Sequence, residues 1–461
     1  LPDLAASPGE WRKLLLEHRF RDADRASQLL QEFVRGPGYV HVSLRTSELA
    51  TQLIPQILAL CPKAGTPSQA VDPHSAPLSD PDRVLARLDS FISAYGSRAM
   101  LYETWTSNPS LFQLLLLLFD RSEFLAEVAI RTPDLVDELV LSGRLRRQKT
   151  AAEILRDLRH GLADEDQRLW LRRYHQAELL RIGLRDILGL ADFERNLIEI
   201  SALAEACLQY ALEVVLRKNK MKNPPLAIVG LGKLGGAELN YGSDLDIMFV
   251  ADSKPKDLPS LQRLAVEIME LLSSQTEMGV AFVTDARLRP DGEKGLLVNT
   301  LPAHEEYYRQ RAQLWEIQAL SRIRAIAGHA RVGQQFQQLA ARLTNFKEPA
   351  PGVAAWRIDW KDEIHKMRMR IENERTPAGQ QHLAIKTGRG GLVDAEFIAQ
   401  TLCLAHGWPE ANTLRALQLA QEKHALDASD AESLIGNYRK LRRVEAILRR
   451  GVLTAVVGPT G

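Results

Sequence analysis

Apolar residues recur at helical spacing through roughly the first half of the chain and again after about Ala330; between these regions the period changes. Trp11 to His18 and Arg25 to Phe33 read as helices, broken at Gly36-Pro37-Gly38. The polar stretch Pro62 to Pro81, rich in Pro, Ser and Asp, reads as a linker. From Asp80 to about Lys218 the helical pattern resumes. Asp80-Pro81 and Thr132-Pro133 each set a capping residue before a proline at a first helical turn. Leu180, Leu184, Ile187 and Leu188 follow helical spacing. At Asn223 the texture shifts. Leu226 to Val229 and Leu245 to Val250 read as strands, Leu261 to Leu272 as a helix, and Val280 to Leu288 as a third strand. Helices return at Arg357 to Glu374, Leu392 to Leu404 and Ala431 to Arg449. The pattern predicts an α+β, predominantly helical chain: a small α/β core flanked by helical segments and a C-terminal helical bundle. The expected divisions are 1–85, an N-terminal helical segment; 86–217, a helical region leading into the core; 218–335, the core; and 336–461, the bundle.

Composition narrows the class. Of 461 residues, 45% are hydrophobic and 25% charged, enough to bury a sizeable core and to exclude disorder throughout. Lys plus Arg is 59 and Asp plus Glu 58, so a net charge of +1 gives no overall attraction to nucleic acid or to an anionic membrane. The basic run Arg439, Lys440, Arg442, Arg443, Arg449 and Arg450 interleaves with Tyr438, Leu441, Val444 and Leu448. It reads as an amphipathic helix with a solvated basic face rather than a nucleic-acid surface. The greasiest run, Leu111 to Phe119, has nine residues and includes Gln113, where a spanning helix needs about 20. No membrane partner and no signal peptide are expected. Leu1 rather than Met stands first, as in a piece of a longer protein. Cys61, Cys207 and Cys403 lie far apart, which fits a reducing cytoplasm. The eleven histidines include no His-x-x-x-His pair, which weighs against zinc.

The chemistry concentrates between Gly230 and Arg289. Asp244 and Asp246 sit one residue apart on a predicted strand, so both carboxylates face the same way. Adjacent carboxylates repel, which makes the pair costly without a cation. Mg²⁺ favours one or two carboxylates plus phosphate oxygens. Asp285, Arg287 and Arg289 alternate along the next predicted strand and share a face. They would hold metal and triphosphate together, and two ions about 4 Å apart would clamp an in-line displacement. Asp285 reads alternatively as a plain ion-pair partner of either arginine. Gly230, Gly232, Gly235 and Gly236 permit close backbone approach to phosphate. No Walker A loop is present. Gly-x-Gly-x-x-Gly at Gly230 to Gly235 is a weak dinucleotide signal, and Asp244 follows Gly236 too closely for a long helix there. Lys233 reads as a phosphate contact or a solvated lysine, and Ser243 as a turn residue. Lys386 and Arg389, beside Gly388 to Gly391, read as anion contacts or as helix-cap cations, with Asp394 and Glu396 orienting them.

Gly-x-Gly-Lys-Leu-Gly-Gly-x-Glu-Leu-x-x-x-Ser-Asp-x-Asp, from Gly230 to Asp246, resembles the signature of the glutamine synthetase adenylyltransferase/adenylyl-removing family, in the DNA polymerase beta-like nucleotidyltransferase superfamily. The resemblance continues at Asp285-Ala-Arg-Leu-Arg-Pro-Asp-Gly292, at Trp315-Glu-Ile-Gln-Ala-Leu320 and at Ile385-Lys-Thr-Gly-Arg-Gly-Gly-Leu-Val-Asp-Ala-Glu-Phe397, with a weaker match at Glu178-Leu-Leu-Arg-Ile-Gly183. It implies a polymerase-beta-like core and one catalytic half of a family whose chains usually carry two. It also implies AMP transfer from ATP to a tyrosine of glutamine synthetase, with Asp244, Asp246 and Asp285 binding two Mg²⁺ ions and Asp285 helping to deprotonate the tyrosine. Phosphate contacts would come from Gly232, Lys233, Gly235, Gly236, Ser243, Arg287, Arg289, Lys386 and Arg389. Trp315 to Leu320 and Gly390 to Glu396 resemble the attaching half, whereas Lys386-Thr-Gly-Arg389 resembles the removing half, in which phosphate releases ADP. Many superfamily members have Gly-Ser where this chain has Gly232-Lys233. A PII-type signal protein and glutamine are the regulators the family implies. The alternatives are the removing half, a catalytically silent nucleotide-binding module, and nucleotide transfer to RNA or an antibiotic.

Overall fold

The computed structural model describes residues 8–38, 41–63, 77–141, 143–255, 257–348, 352–376, 379 and 383–452. Most of the linker expected at Pro62 to Pro81, namely 64–76, lies outside the described residues. The chain forms two compact units, each assembled from more than one stretch. The first takes Leu1–Gln148, Gln176–Asp192 and Arg450–Gly461; the second takes Lys149–His175 and Phe193–Arg449.

The described part of the first unit is helical. Helices Pro8–Glu17, Ala23–Arg35, Leu44–Leu60, Pro81–Tyr95, Arg98–Ser107, Pro109–Arg121, Glu123–Arg131 and Asp134–Leu141 surround one apolar core. Capping explains the breaks. The Asp80 side chain accepts from the Arg83 N–H with Pro81 in the first turn, and Asn108 does the same for Leu111 ahead of Pro109. The Leu111 to Phe119 run is buried except for Gln113 and half-buried Leu117, and Trp105 stacks on Phe112 with ring centroids 4.9 Å apart. Among the described residues no helix is long and apolar enough to cross a membrane.

The second unit holds a mixed sheet of five strands: β1 Leu226–Gly230, β2 Leu245–Ala251, β3 Thr284–Asp285, β4 Val298–Thr300 and β5 Arg324–Gly328. β1 lies between β2 and β5, antiparallel to both; β3 and β4 pair in parallel with the two ends of β2. Ala227 and Val229 of β1 join Met248 and Val250 of β2 in one cluster with Val332 and Phe336 of helix Ala330–Leu343. Leu245, Ile247 and Phe249, on the opposite face of β2, are also buried. Burial on both faces explains the unbroken apolar runs in both strands. Asp246 shares its strand face with Met248 and Val250, so that face opens only at the beginning of β2.

Two expectations change here. The third strand spans Thr284–Asp285 rather than Val280 to Leu288, so Arg287 and Arg289 do not share a strand face with Asp285. The reason is local: the N–H of Arg287 donates to the Asp285 carboxylate, that of Arg289 to the carbonyl of Arg287, and Pro290 has no N–H to offer a ladder. The second change concerns the helix Ala428–Val452, which turns a different face inward from the one its apolar spacing predicts. Arg442 and Glu445 are buried, whereas Val444 and Leu448 are exposed.

Candidate functional site

The turn after β1 places the pieces. Gly232–Gly235 forms a single helical turn, begun at φ +54° by Gly232, a conformation that disfavours any side chain. A Cβ on Gly232 would stand 3.2 Å from the Oδ2 of Asp246. The glycine therefore lets the backbone pass directly against that carboxylate. The N–H of Leu231 donates to the Asp246 carbonyl at 2.9 Å and fixes the approach. Asp285 stands beside Asp246 in the parallel register of β2 and β3, and Asp244 immediately precedes β2.

These carboxylates feel one another. Burial is the first cause that pushes the Asp246 carboxyl up to about 6, followed by Asp285 and Asp244, against the pull of Arg322 and Lys233. Asp285 moves the other way, held below the usual range chiefly by its hydrogen bonds from the Arg287 guanidinium, one of them 2.6 Å long. A half-buried carboxylate facing two others is a setting that a cation would relieve, so Asp244 and Asp246 suit a hard divalent ion. Asp285 is engaged by Arg287, and among the described residues no three carboxylate, imidazole or thiolate groups gather closely enough to hold a metal.

The other expected phosphate contacts divide. Gly232 lies at the carboxylates. Gly235 and Gly236 are buried and their N–H groups close the helical turn onto the carbonyls of Leu231 and Gly232. A Cβ on Gly235 would run into the Arg322 carbonyl, so its glycine serves close packing. Ser243 Oγ accepts the Asn240 N–H at 3.1 Å, a turn contact. Arg289 donates to the carbonyl of Ala286 at 2.6 Å and props its own loop. Lys386 and Arg389 are exposed, on the loop before helix Leu392–His406. Asp394 and Glu396 are directed elsewhere than at those two cations: Asp394 accepts from Arg368 and from the Gly390 N–H, while Glu396 lies 3.6 Å from Arg322.

A buried ionic network that the sequence reading left unassigned holds the turn. Lys233 pairs with Glu445 of helix Ala428–Val452 at 3.0 Å. Arg442 donates to Glu445 and to the backbone carbonyl of Glu238. The Glu238 carboxylate accepts from Arg322, from Thr413 Oγ1 at 2.9 Å and from the Tyr438 hydroxyl at 3.2 Å. The expected solvated basic face is thus in part a buried brace. Burial alone would raise the Glu445 carboxyl; Lys233 and Arg442 overcome this and bring it to about 2. Lys233 is lowered, first by burial and then by Arg442, although Glu445 adjoins it. Arg449 also reaches the Glu445 carboxylate at 3.3 Å, so three cations share one acid and its charged form is strongly favoured. The sequence signal available was Glu238 itself, an acid two residues past the last glycine of a glycine-rich stretch.

A cavity of about 420 Å³ opens beside Leu231 and Gly232, lined mostly by apolar atoms from helices Leu314–Leu320, Trp360–Arg375 and Leu392–His406. Backbone turn, neighbouring carboxylates and adjoining cavity together define a small-molecule class of site.

Comparison with known proteins narrows that class. The family model described as glutamate-ammonia ligase adenylyltransferase matches residues 112–339, and that described as PII-uridylyltransferase matches residues 361–450. Three similar relatives are each named bifunctional glutamine synthetase adenylyltransferase/adenylyl-removing enzyme. The protein from Aromatoleum aromaticum is 34% identical over 82% of this chain and 41% of its own length. That from Chromobacterium violaceum is 31% identical over 96% and 48%, and that from Pseudomonas aeruginosa 32% over 85% and 42%. The chain belongs to the glutamine synthetase adenylyltransferase/adenylyl-removing family, and it spans about half the length of the curated relatives it matches.

Proposed function

We propose that this chain is an adenylyltransferase half that moves AMP from ATP to a tyrosine of glutamine synthetase. The observation that carries the reading is the Asp246 carboxylate set against the backbone at Gly232, with Asp285 in register beside it, in a chain of this family. Asp244 and Asp246 would hold magnesium, with Asp285 beside them; the expected arrangement of two ions would need Asp285 to turn from Arg287. Bound there, the metal would neutralise the carboxylates and polarise the α-phosphate. The tyrosine oxygen attacks the α-phosphorus, the bond to the bridging β-oxygen breaks, pyrophosphate leaves, and the phenolic proton passes to a carboxylate. The Gly232 backbone lets the triphosphate approach closely, and Lys233 and Arg287 supply positive charge where negative charge develops. Lys386 and Arg389 stand as exposed cations for the phosphates or for the acidic surface of a protein substrate. The match of 361–450 to a PII-uridylyltransferase model supports a PII-type signal protein as regulator, with glutamine a further regulator that the family resemblance implies. Cys61, Cys207 and Cys403 are buried and lie far apart in sequence, which supports a cytoplasmic setting.

The second reading reverses the reaction: phosphate attacks the adenylylated tyrosine and ADP leaves. The relatives carry both activities in their names, and this chain matches about half of each. Intact mass separates the two. Glutamine synthetase incubated with this chain, Mg²⁺ and ATP should gain one AMP per subunit. Loss of AMP only from adenylylated enzyme with phosphate would establish the removing half instead, and no change in either reaction would refute both.

A further inference from the structure

We infer that the amide pair Gln318–Gln400 reads the base of the nucleotide; the inference rests on the proposed nucleotide site. Gln318 comes from helix Leu314–Leu320 and Gln400 from helix Leu392–His406, and both line the cavity beside Gly232. The Nε2 of Gln318 donates to the Oε1 of Gln400 at 2.6 Å. Gln318 is only 4% exposed, in surroundings that are mostly apolar. Burying a primary amide there costs free energy unless its polar atoms are matched. The mutual bond matches one donor and one acceptor. Whichever way the two amides turn, the mutual bond leaves the oxygen of one amide and the amino group of the other to face a ligand.

Between the purines, that pattern fits adenine better than guanine. Adenine presents an amino donor beside a ring-nitrogen acceptor on either of its reading edges, and amide side chains make this two-point contact. Guanine presents one acceptor with two donors on its pairing edge and two acceptors on the other, so one of its groups stays unmatched in an apolar wall. The position agrees. Gly232 lines the cavity and abuts Asp246, so a triphosphate at the carboxylates projects its base toward the two glutamines. Trp315 and Phe397 supply aromatic surface on the same walls, with the Trp315 indole N–H anchored on Gln313 at 2.8 Å. The volume of about 420 Å³ lies within the range of small-molecule pockets.

The test is calorimetric, in Mg²⁺ buffer, with α,β-methylene triphosphates of adenosine, guanosine and purine riboside, the last lacking the 6-amino group. The wild-type chain should prefer the adenosine compound by roughly ten- to a hundred-fold over each of the other two. In Gln318→Leu, and in Gln400→Ala at the half-buried partner, both preferences should fall to near parity while affinity for inorganic tripolyphosphate is unchanged. Unchanged tripolyphosphate binding shows that the fold and the phosphate end are intact. Equal wild-type affinities, or preferences retained in both variants, would overturn the base assignment and leave the proposed transfer standing. Absence of binding by all three nucleotides and by tripolyphosphate would overturn both.

Discussion

Glu445→Gln tests the brace behind the glycine turn. Glu445 is 7% exposed by its side chain and Lys233 19%, with Arg442 donating to the same carboxylate. Removing the charge while keeping the shape leaves Lys233, Arg442 and the more exposed Arg449 facing a neutral amide, and breaking a buried pair typically costs about 3–5 kcal/mol. The carboxyl offers an independent figure. Its shift from an ordinary value near 4.5 to about 2 corresponds to about 3 kcal/mol of stability at neutral pH. The two agree. A depressed carboxyl contributes stability that is fully present above its unfolded value and is lost as pH falls toward its folded value. Wild type should therefore exceed the variant by a constant amount above pH ~5, and roughly 1 kcal/mol of that excess should be gone by pH ~3.5. Urea unfolding of both proteins at pH 7, 5 and 3.5 measures the difference directly, and other titrating groups cancel between them. A variant within about 1 kcal/mol of wild type at pH 7, or a difference that grows on acidification, would refute the reasoning.

Three further outcomes follow from the same geometry. Gly232→Ala should cost about 1–2 kcal/mol of backbone strain and crowd Asp246, so ATP-dependent transfer should fall far more than the thermal midpoint; equal transfer would remove Gly232 from the site. Asp246→Asn relieves a half-buried, repelled carboxylate, so it should be at least as stable as wild type without Mg²⁺ at pH 7.5 yet inactive in transfer, as read by denaturation and intact mass. Arg287→Ala removes the hydrogen bonds that hold Asp285 low, so the Asp285 carboxyl should titrate at higher pH in a ¹³C carboxyl NMR experiment, and an unmoved titration would show that the pairing is absent in solution.

What local chemistry governs, the sequence displayed. Strands at Leu226 and Leu245 followed from apolar runs too short for helices, and the helix breaks from Asp80-Pro81 and from Gly36-Pro37-Gly38, because capping and backbone freedom act within a few residues. Asp244 stands one residue before β2, outside the strand whose alternation was expected to pair it with Asp246, and acts on that carboxylate from there. Asp285 reached Asp246 only through the register of β3 on β2, and Arg287 and Arg289 left the strand because side-chain and proline constraints ended its ladder. Helical periodicity misread the C-terminal helix, whose buried face carries Arg442 and Glu445, because burying an ion is favourable only where partners from Gly232–Gly235 and Glu238 meet it. The Gln318–Gln400 pair, 82 positions apart, was invisible in the chain. The sequence by itself determined the strand, the turn and the acids between Gly230 and Asp246. The tertiary structure alone decided which distant charges and amides complete the site, because pairing energies depend on distance and desolvation rather than on order along the chain.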